Sequence, residues 1–324
     1  MVASTRRTRP RAKPRRAARE AAEPEAIFVV GVSRSGTTLM RTVLETSERI
    51  AIAMENHYVG HLVRGYGARE QFRRLGDPAD DASIRKIVDF VYSGEMQRHS
   101  RLREISPFWR WLIREIPPAE LEQRLLAAER TERGLFAALL RSYADFHGRP
   151  VMGEKTPAHL AFADTLLEWF PRSKLVHIMR DPRAVYVSDT RRRRDRPTKP
   201  YSWLMRLPLA FEAVMVVQTV LAWSGAARRH RRLARAHPEH YTMIRFEDLV
   251  RRPDEVLPSL FEFLGVALPA SVTDVKVVSR GFMLGEAGFD AGAADRWQEQ
   301  IHPVADRALR LLLGRSMRRL GYSD

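Results

Sequence analysis

The chain has 324 residues, no cysteine, and 55 lysine and arginine side chains against 39 aspartate and glutamate side chains, a formal net charge of +16. The absence of cysteine excludes disulfide bonds and thiolate metal sites, and we expect a protein of the cytoplasm. The basic balance favours anionic ligands, and the length is sufficient for a large α/β domain with a well-buried core.

Residues 1–25 are predicted to form a basic N-terminal tail, in which residues 1–20 hold eight lysine and arginine side chains and one glutamate. Residues 1–20 contain two prolines, no aromatic residue and no apolar periodicity, so we predict that the tail is disordered. An arm that binds nucleic acid is one interpretation of this charge, but a solvated extension is the favoured one. Residues 26–324 are predicted to form a single domain.

A strand, a glycine-punctuated turn and a helix start follow each other at the beginning of this domain. The apolar run of residues 27–30 predicts a buried strand, and an apolar-periodic helix begins near residue 38. The turn between them contains Gly31, Arg34, Ser35, Gly36, Thr37 and Thr38. Because unpaired N–H groups and the positive end of a helix dipole attract anions, we predict a phosphate-binding loop here.

The loop differs from the loops that bind nucleoside triphosphates. The glycine spacing is the same, but Thr37 occupies the position of the usual lysine, and the cation, Arg34, lies inside the loop instead. No strand ends in an aspartate placed to hold magnesium. These features favour an ester of lower charge than a triphosphate, bound without a metal. A P-loop kinase or NTPase is the alternative.

The segment Arg34–Arg41 resembles the donor loop of the sulfotransferases that use 3′-phosphoadenosine-5′-phosphosulfate (PAPS), especially the protein-tyrosine branch and its bacterial relatives. The resemblance implies a single P-loop-NTPase-like α/β domain with a central parallel sheet flanked by helices. It also implies that Arg34 and the loop positions Ser35, Gly36, Thr37 and Thr38 hold the 5′-phosphosulfate, with no metal required.

A second predicted strand, Arg49–Ala53, delivers Glu55 and His57 to the carboxyl edge of the sheet, where open α/β folds place their chemistry. Glu55 follows Arg34 at the distance that the resemblance implies for the catalytic glutamate of the tyrosine branch. We predict that Glu55 is the general base that removes the proton from the acceptor hydroxyl. His57 is the alternative base.

Residues 58–148 contain no motif and are predicted to form a helical lid or acceptor region. Helices are predicted over Ser83–Glu95 and Pro117–Glu129, and an apolar stripe near residues 135–146 is typical of a core helix. Trp109 is expected either to line an acceptor pocket or to pack in the core. Further on, Glu154-Lys155-Thr156-Pro157 resembles a block of the bacterial sulfotransferases, which implies that Lys155 stabilises charge on the transferring group.

A fourth predicted strand, Lys174–Met179, leads into Arg180 and then into a helix that begins near Pro182. This segment resembles the second signature of the family, which implies that Arg180 and Ser188 hold the 3′-phosphate of the donor. A guanidinium group is suited to bidentate phosphate contacts. Arg192 matches a further basic position of the tyrosine branch.

The last motifs are weaker. A fifth strand is predicted over Tyr241–Phe246, with Phe246 where the family has a tyrosine. Ser279 and Arg280 begin a glycine-rich stretch, and the resemblance implies that this stretch closes over the nucleotide and that both residues contact phosphate. Trp297 is expected to pack the terminal helix.

The sequence thus predicts a PAPS-dependent sulfotransferase that transfers a sulfonate group in line to an acceptor hydroxyl. The acceptor stays open between a small molecule, a carbohydrate, a lipid and a peptide, and the oligomeric state is unknown. Nucleic acid is an unlikely main partner. Polar residues interrupt the apolar segment Leu204–Trp223, so we predict a buried helix and no membrane span.

Overall fold

The computed structural model describes residues 23–61, 66–96, 106–274, 276–279 and 282–322. The basic tail through residue 22 and the predicted phosphate ligand Arg280 lie outside these ranges. The strands are β1 (Ala26–Gly31), β2 (Ile50–Ala53), β3 (Val151–Lys155), β4 (Lys174–Met179), β5 (Tyr241–Arg245), β6 (Lys276–Ser279) and β7 (Phe282–Ala287).

The helices of the described residues alternate with the strands over most of the chain. They are α1 (Thr37–Leu44), α2 (Ala68–Arg73), α3 (Asp81–Tyr92), α4 (Pro107–Glu115), α5 (Pro118–Ala127), α6 (Glu132–Phe146), α7 (Ala163–Trp169), α8 (Pro182–Asp195), α9 (Lys199–Leu204), α10 (Pro208–Ala236), α11 (Phe246–Arg251), α12 (Pro253–Leu264) and α13 (Pro303–Arg319). Short 3-10 turns cover residues 157–162, 270–274 and 291–294.

Strands β1 to β5 form one parallel sheet in the order β2-β3-β1-β4-β5, so the predicted central parallel sheet is confirmed. Strand β1 is central and is buried along its whole length, which explains its uninterrupted apolar sequence. Val29 pairs with Lys155 of β3, and Gly31 pairs with Ile178 of β4. The glycine loop, Lys155 and the residue after β4 therefore meet at one edge of the sheet.

Helices cover both faces of this sheet. Because successive side chains of a strand point to opposite faces, Phe28 and Val30 enter one core while Ile27 and Val29 enter the other. The first core is the larger and is rich in aromatic side chains, with Phe28, Phe136 and Phe170 in mutual contact. The sheet thus provides a rigid support on which the loops at its carboxyl edge are held.

The described helices between residues 58 and 148 pack into the larger core. The ring of Tyr58 stacks on Phe136 with centroids 4.7 Å apart, and the indole N–H of Trp109 donates to the carbonyl oxygen of Asn56 at 2.9 Å. Trp109 is therefore a core residue, and its hydrogen bond fixes the chain next to Glu55. A role of this region in acceptor binding stays a prediction.

Two predicted elements differ from the structure. Strand β5 ends at Arg245, and Phe246 is the first residue of α11. Helix α10 is longer than predicted, and only 39% of its most apolar window is buried, so the prediction of a buried helix is wrong for its outer side. Among the described residues, α10 is the one helix whose length and composition alone would allow a membrane crossing.

Candidate active site

Two glycines, one at the end of β1 and one in the loop that follows it, lie so close to other parts of the protein that no side chain would fit there. A Cβ atom on Gly31 would lie 2.5 Å from the carbonyl oxygen of Ile178, and one on Gly36 would lie 2.4 Å from the ring of Phe246. Gly36 also has a φ of 97°, a conformation that side chains with a Cβ disfavour. The loop therefore packs tightly against β4 and α11, and this packing fixes the direction in which α1 begins.

Arg34 lies between these glycines and is itself in the left-handed region, with a φ of 73°. Such a conformation costs on the order of 1–3 kcal/mol for a residue with a side chain. Its Nε donates to the hydroxyl oxygen of Ser188 at 3.0 Å, across 154 positions of sequence. Burial and the nearby charge of Arg192 lower the pKa of Arg34. The loop thus holds a partly desolvated cation toward helix α8.

A cavity of about 440 Å³ opens in front of the loop. It is lined by Ser33, Arg34, Gly36, Thr37, Thr38, Leu39, Glu55, Pro157, Arg180, Ala184, Val187, Ser188, Arg191, Arg192, Phe246, Ala293, Arg296, Trp297 and Gln300. Five of these side chains are arginines and one is a carboxylate. Such a lining creates a positive potential and favours an anionic occupant.

Most of the predicted site residues meet in this cavity, although they come from distant parts of the chain. Its walls contain the predicted residues Arg34, Gly36, Thr37, Thr38, Glu55, Arg180, Ser188 and Arg192. Lys155 is not part of the wall and lies behind Glu55, which it contacts. The predicted ligand Ser279 lies on β6, which pairs with β7.

Ser35 does not reach the cavity. Its side chain is fully buried and is not among the residues that line the cavity, and its hydroxyl has no hydrogen-bond partner among the described residues. Its backbone N–H donates to the carbonyl oxygen of Val32 at 3.2 Å. The structure therefore gives the side chain of Ser35 no route to a ligand in the cavity, and that backbone bond helps to close the turn.

Arg180 follows β4 and enters the same cavity as Arg34. Its Nη2 donates to the carbonyl oxygen of Ala293 at 2.7 Å, its Nη1 approaches that of Arg34 at 3.4 Å, and its Nε has no partner among the described residues. The guanidinium lies 4.2 Å from the ring centroid of Phe246, and burial lowers the pKa of Arg180 to about 10. Arg180 is thus oriented by neutral groups only.

Glu55 forms the centre of a second group of polar side chains at the same sheet edge. The ammonium of Lys155 donates to Glu55 Oε1 at 2.6 Å, and His57 Nε2 lies 3.8 Å from Oε2. Burial alone would raise the pKa of Glu55, but the charge and hydrogen bond of Lys155 lower it below its usual value. Burial lowers the pKa of His57 to about 4. Both residues are therefore unprotonated at neutral pH.

A buried polar cluster at the end of β3 positions these groups and was not predicted from the sequence. Glu154 and His159 are completely buried, and Glu154 accepts hydrogen bonds from the hydroxyl of Thr156 and from His159 Nδ1. Thr156 in turn accepts from the backbone N–H of Asn56 at 3.2 Å. The cluster ties β3 to the segment that carries Glu55. A glutamate next to Lys155 at the end of a buried strand was the available signal.

Part of the cavity wall was not predicted from the sequence. Arg191 and Arg192 follow Ser188 by three and four positions, so both lie near the face of α8 that Ser188 occupies. That spacing was a usable signal. The sequence contained no such signal for Arg296 and Gln300, because they come from an irregular segment. Trp297 both lines the cavity and packs against Arg183, whose guanidinium is 4.5 Å from its ring centroid.

Comparisons with known proteins identify the family. A profile of the sulfotransferase family matches residues 24–270. The chain belongs to the sulfotransferase family. Membership assigns it to the enzymes that transfer a sulfonate group, confirms the predicted resemblance and disfavours the kinase alternative. Within the described residues, no group of three or more histidine, aspartate or glutamate side chains is arranged to hold a metal ion.

This sulfotransferase is 26% identical over 280 residues to the omega-hydroxy-beta-dihydromenaquinone-9 sulfotransferase Stf3 of Mycobacterium bovis and to that of Mycobacterium tuberculosis. The alignment covers 78% of this chain, and the chain spans 66% of the length of these relatives.

Two solved structures share its fold. The sulfotransferase domain of the Synechococcus PCC 7002 olefin synthase matches with a TM-score of 0.56 and 20% identity, covering 94% of this chain and 97% of that domain. The sulfotransferase domain from the curacin biosynthetic pathway matches with a TM-score of 0.54 and 20% identity, covering 93% and 98%. With the glycine loop after the central strand, these matches confirm the predicted P-loop-NTPase-like α/β fold.

Proposed function

We propose that this sulfotransferase uses PAPS as donor and transfers its sulfonate group to an acceptor hydroxyl. The proposal depends on one observation: a single cavity contains Arg34 of the glycine loop, Arg180 of the β4 edge and the carboxylate of Glu55. The arginines are suited to the two anionic ends of one nucleotide, and the carboxylate is suited to take a proton. The cytoplasmic location stays a prediction.

The 5′-phosphosulfate would bind at the loop and the start of α1. Thr37 and Thr38 lie in the first turn of this helix, which has no side-chain cap, so its N–H groups and dipole are available to an anion. Arg34 adds a positive charge, and its partial burial removes favourable contacts with water and lowers its pKa. The negative charge of a bound phosphosulfate would compensate for these lost contacts.

The 3′-phosphate would bind at α8. Arg180 has an Nε without a partner among the described residues, and Ser188 and Arg192 line the same wall about two and three helical turns further along the chain. Hydrogen bonds to charged groups contribute roughly 1.5–3 kcal/mol each, so this site would distinguish nucleotides that carry a 3′-phosphate from those that do not. Ser279 and Arg280 remain proposed contacts of the closing segment.

In the proposed reaction, the acceptor oxygen bonds to sulfur as the bond between sulfur and the bridging phosphate oxygen breaks. The acceptor proton passes to Glu55, and 3′-phosphoadenosine 5′-phosphate leaves. An anionic donor would compete with Glu55 for the ammonium of Lys155. Because this ammonium lowers the pKa of Glu55, the competition would raise that pKa and make Glu55 a stronger base.

The acceptor class that we propose to test first is a lipid hydroxyl. The Stf3 relatives are named for a menaquinone-derived acceptor with a terminal hydroxyl group. Carbohydrate, peptide and other small-molecule hydroxyls are the further arms of the same screen. In each arm, transfer from PAPS is measured by the release of 3′-phosphoadenosine 5′-phosphate.

Titration calorimetry tests the donor. We expect binding of 3′-phosphoadenosine 5′-phosphate and no comparable binding of ATP with Mg²⁺. The reverse preference would refute the proposal in favour of a kinase or NTPase.

The base is tested by comparing Glu55→Gln with His57→Gln. We expect Glu55→Gln to lower kcat by about 10²–10⁴ with nucleotide binding retained, because general base catalysis contributes about that factor. His57→Gln should have a much smaller effect. A loss confined to His57→Gln would assign the proton transfer to His57 instead.

A further inference from the structure

Five large apolar side chains are exposed on α9, on α10 and on the turn between these helices. We call this surface the outer face; it consists of Trp203, Leu207, Leu209, Val217 and Leu221, which are 62%, 50%, 86%, 54% and 66% exposed. Leu209, Val217 and Leu221 are eight and four positions apart, so they share one side of α10. Soluble proteins expose single apolar residues commonly, whereas a group of this kind indicates a binding surface.

The opposite side of α10 is built into the domain. Phe211, Met215 and Trp223 are buried, and the indole N–H of Trp223 donates to the carbonyl oxygen of Arg180 at 2.9 Å. A helix attached in this way presents one long side to its surroundings. The outer face is therefore suited to a surface that lies parallel to the helix axis, and not to a crossing.

The charges in the segment that carries the outer face are predominantly positive. Residues 196–236 contain eight lysine and arginine side chains, and Glu212 is their only acidic residue. Glu212 is already bound by Tyr186 and Arg194. Arg206 and Arg228 are exposed near the two ends of the apolar group. An apolar strip bordered by cations complements a surface with anionic head groups above an apolar layer.

We propose that the outer face binds the surface of an anionic lipid bilayer, with α10 lying in the plane of the interface. Leu209, Val217 and Leu221 enter the acyl boundary, Trp203 lies at the level of the head groups, and the arginines contact lipid phosphates. A protein partner would not require this predominantly positive border, whereas a bilayer rich in anionic lipid explains it.

The outer face begins beside the wall of the active-site cavity. Ser188, Arg191 and Arg192 of α8 line the cavity, and the guanidinium of the next residue, Arg193, lies 4.0 Å from the ring centroid of Tyr201 on α9. Docking would thus bring the cavity near the lipid surface. This consequence rests on the proposed function with a lipid acceptor, but vesicle binding itself does not.

The test uses the full chain and vesicles of phosphatidylcholine with or without phosphatidylglycerol. We expect cosedimentation with the anionic vesicles and quenching of tryptophan fluorescence by brominated lipid. Trp109, Trp111, Trp223 and Trp297 are buried and Trp169 on α7 is half-buried, so most of the quenching should be lost in Trp203→Phe. The triple variant Leu209→Ser, Val217→Ser, Leu221→Ser should bind anionic vesicles at least about tenfold more weakly.

The control variant Phe146→Ser, Leu268→Ser removes two exposed apolar side chains from other elements and should bind vesicles like the wild type. Binding of 3′-phosphoadenosine 5′-phosphate should be equal in all variants, which separates this proposal from the donor proposal. Vesicle binding that the triple variant retains would overturn it, since the basic tail would then account for the binding. A wild-type dimer that the triple variant converts to monomer, without vesicle binding, would assign the face to a second copy.

Discussion

Two arginines near the start of helix α8, three positions apart, differ in their surroundings: Arg183 is buried and Arg180 is half-buried. Arg183 is 3% exposed, and its Nε and Nη2 donate to Asp181 at 3.0 and 2.7 Å. Arg180 enters the cavity, and among the described residues no carboxylate lies within 4 Å of its guanidinium. Arg183 is therefore paired with a carboxylate of the fold, whereas Arg180 is not.

This difference distinguishes structural from ligand-binding arginines in the described part of the chain. A buried charge is unfavourable unless an opposite charge compensates it, and Asp181 does so for Arg183. Among the described residues, neither Arg180 nor Arg34 has a carboxylate within 4 Å of its guanidinium. More distant carboxylates, Glu247 and Asp181 for Arg180 and Asp189 and Glu55 for Arg34, compensate only in part, and burial lowers the pKa of both arginines. We infer that an anionic ligand supplies the missing charge, and the predictions below test this distinction.

The largest expected effect is on stability and concerns Arg183. Arg183→Ala leaves Asp181 buried without its partner, and breaking such a pair costs about 3–5 kcal/mol of the free energy of unfolding. Chemical denaturation measures this value. The double variant Arg183→Ala, Asp181→Asn removes both charges and should recover part of it. A stability change below about 1 kcal/mol in the single variant would contradict the structural role.

Arg34→Ala should have the opposite profile. We expect the transfer rate to fall about 10²–10³-fold or more, as for other removed electrostatic contacts to a reacting group, while the melting temperature is retained. Alanine keeps the Cβ and therefore the left-handed backbone conformation, and it removes a charge that has no carboxylate partner within 4 Å, so we expect no loss of stability. The matched control is Arg85→Ala, an exposed arginine paired with Glu122 on the protein surface. Full activity of Arg34→Ala would end the proposed scheme.

Arg180→Ala should weaken nucleotide binding without unfolding the protein. Losing a charge-assisted contact of roughly 1.5–3 kcal/mol lowers the affinity for 3′-phosphoadenosine 5′-phosphate by about 10–150-fold. The affinity for adenosine 5′-phosphate, which lacks the 3′-phosphate, should change little. Equal losses for both nucleotides in calorimetry would show that Arg180 does not read the 3′ end.

The smallest effect extends the comparison to a histidine that the fold keeps neutral. His177 is completely buried, bonds to the hydroxyl of Tyr241 at 2.7 Å, and has its pKa lowered by burial to about 3. Because the unfolded chain takes up this proton near pH 6.5, stability is full above that pH and falls as the pH drops toward 3. At pH 5 the loss is about 2 kcal/mol.

Urea denaturation at pH 7 and pH 5 measures this loss. His177→Leu should lose correspondingly less stability between the two pH values, because its side chain cannot take up a proton. An unchanged pH dependence in that variant would assign the effect to other groups.

Some of these features could be read from neighbouring residues in the sequence. Strand β4 has the predicted limits, Lys174–Met179, because an apolar run ended by Arg180-Asp181-Pro182 leaves few alternatives. The glycine turn before α1 could likewise be predicted from adjacent residues. Limits were less accurate where two elements abut, as at Phe246, since an aromatic residue suits both a strand end and the buried side of a helix.

The sequence by itself determined the order of strands, turns and helices and the residue types that meet at the sheet edge, because hydrophobic periodicity and glycine turns act over a few residues. Only the tertiary structure decided which of these residues share a cavity. Lys155 contacts Glu55 across 100 positions, the side chain of Ser35 is buried outside the cavity wall, and α10 exposes one side. Such outcomes depend on the strand order and on the rotation of each helix, which local sequence does not encode.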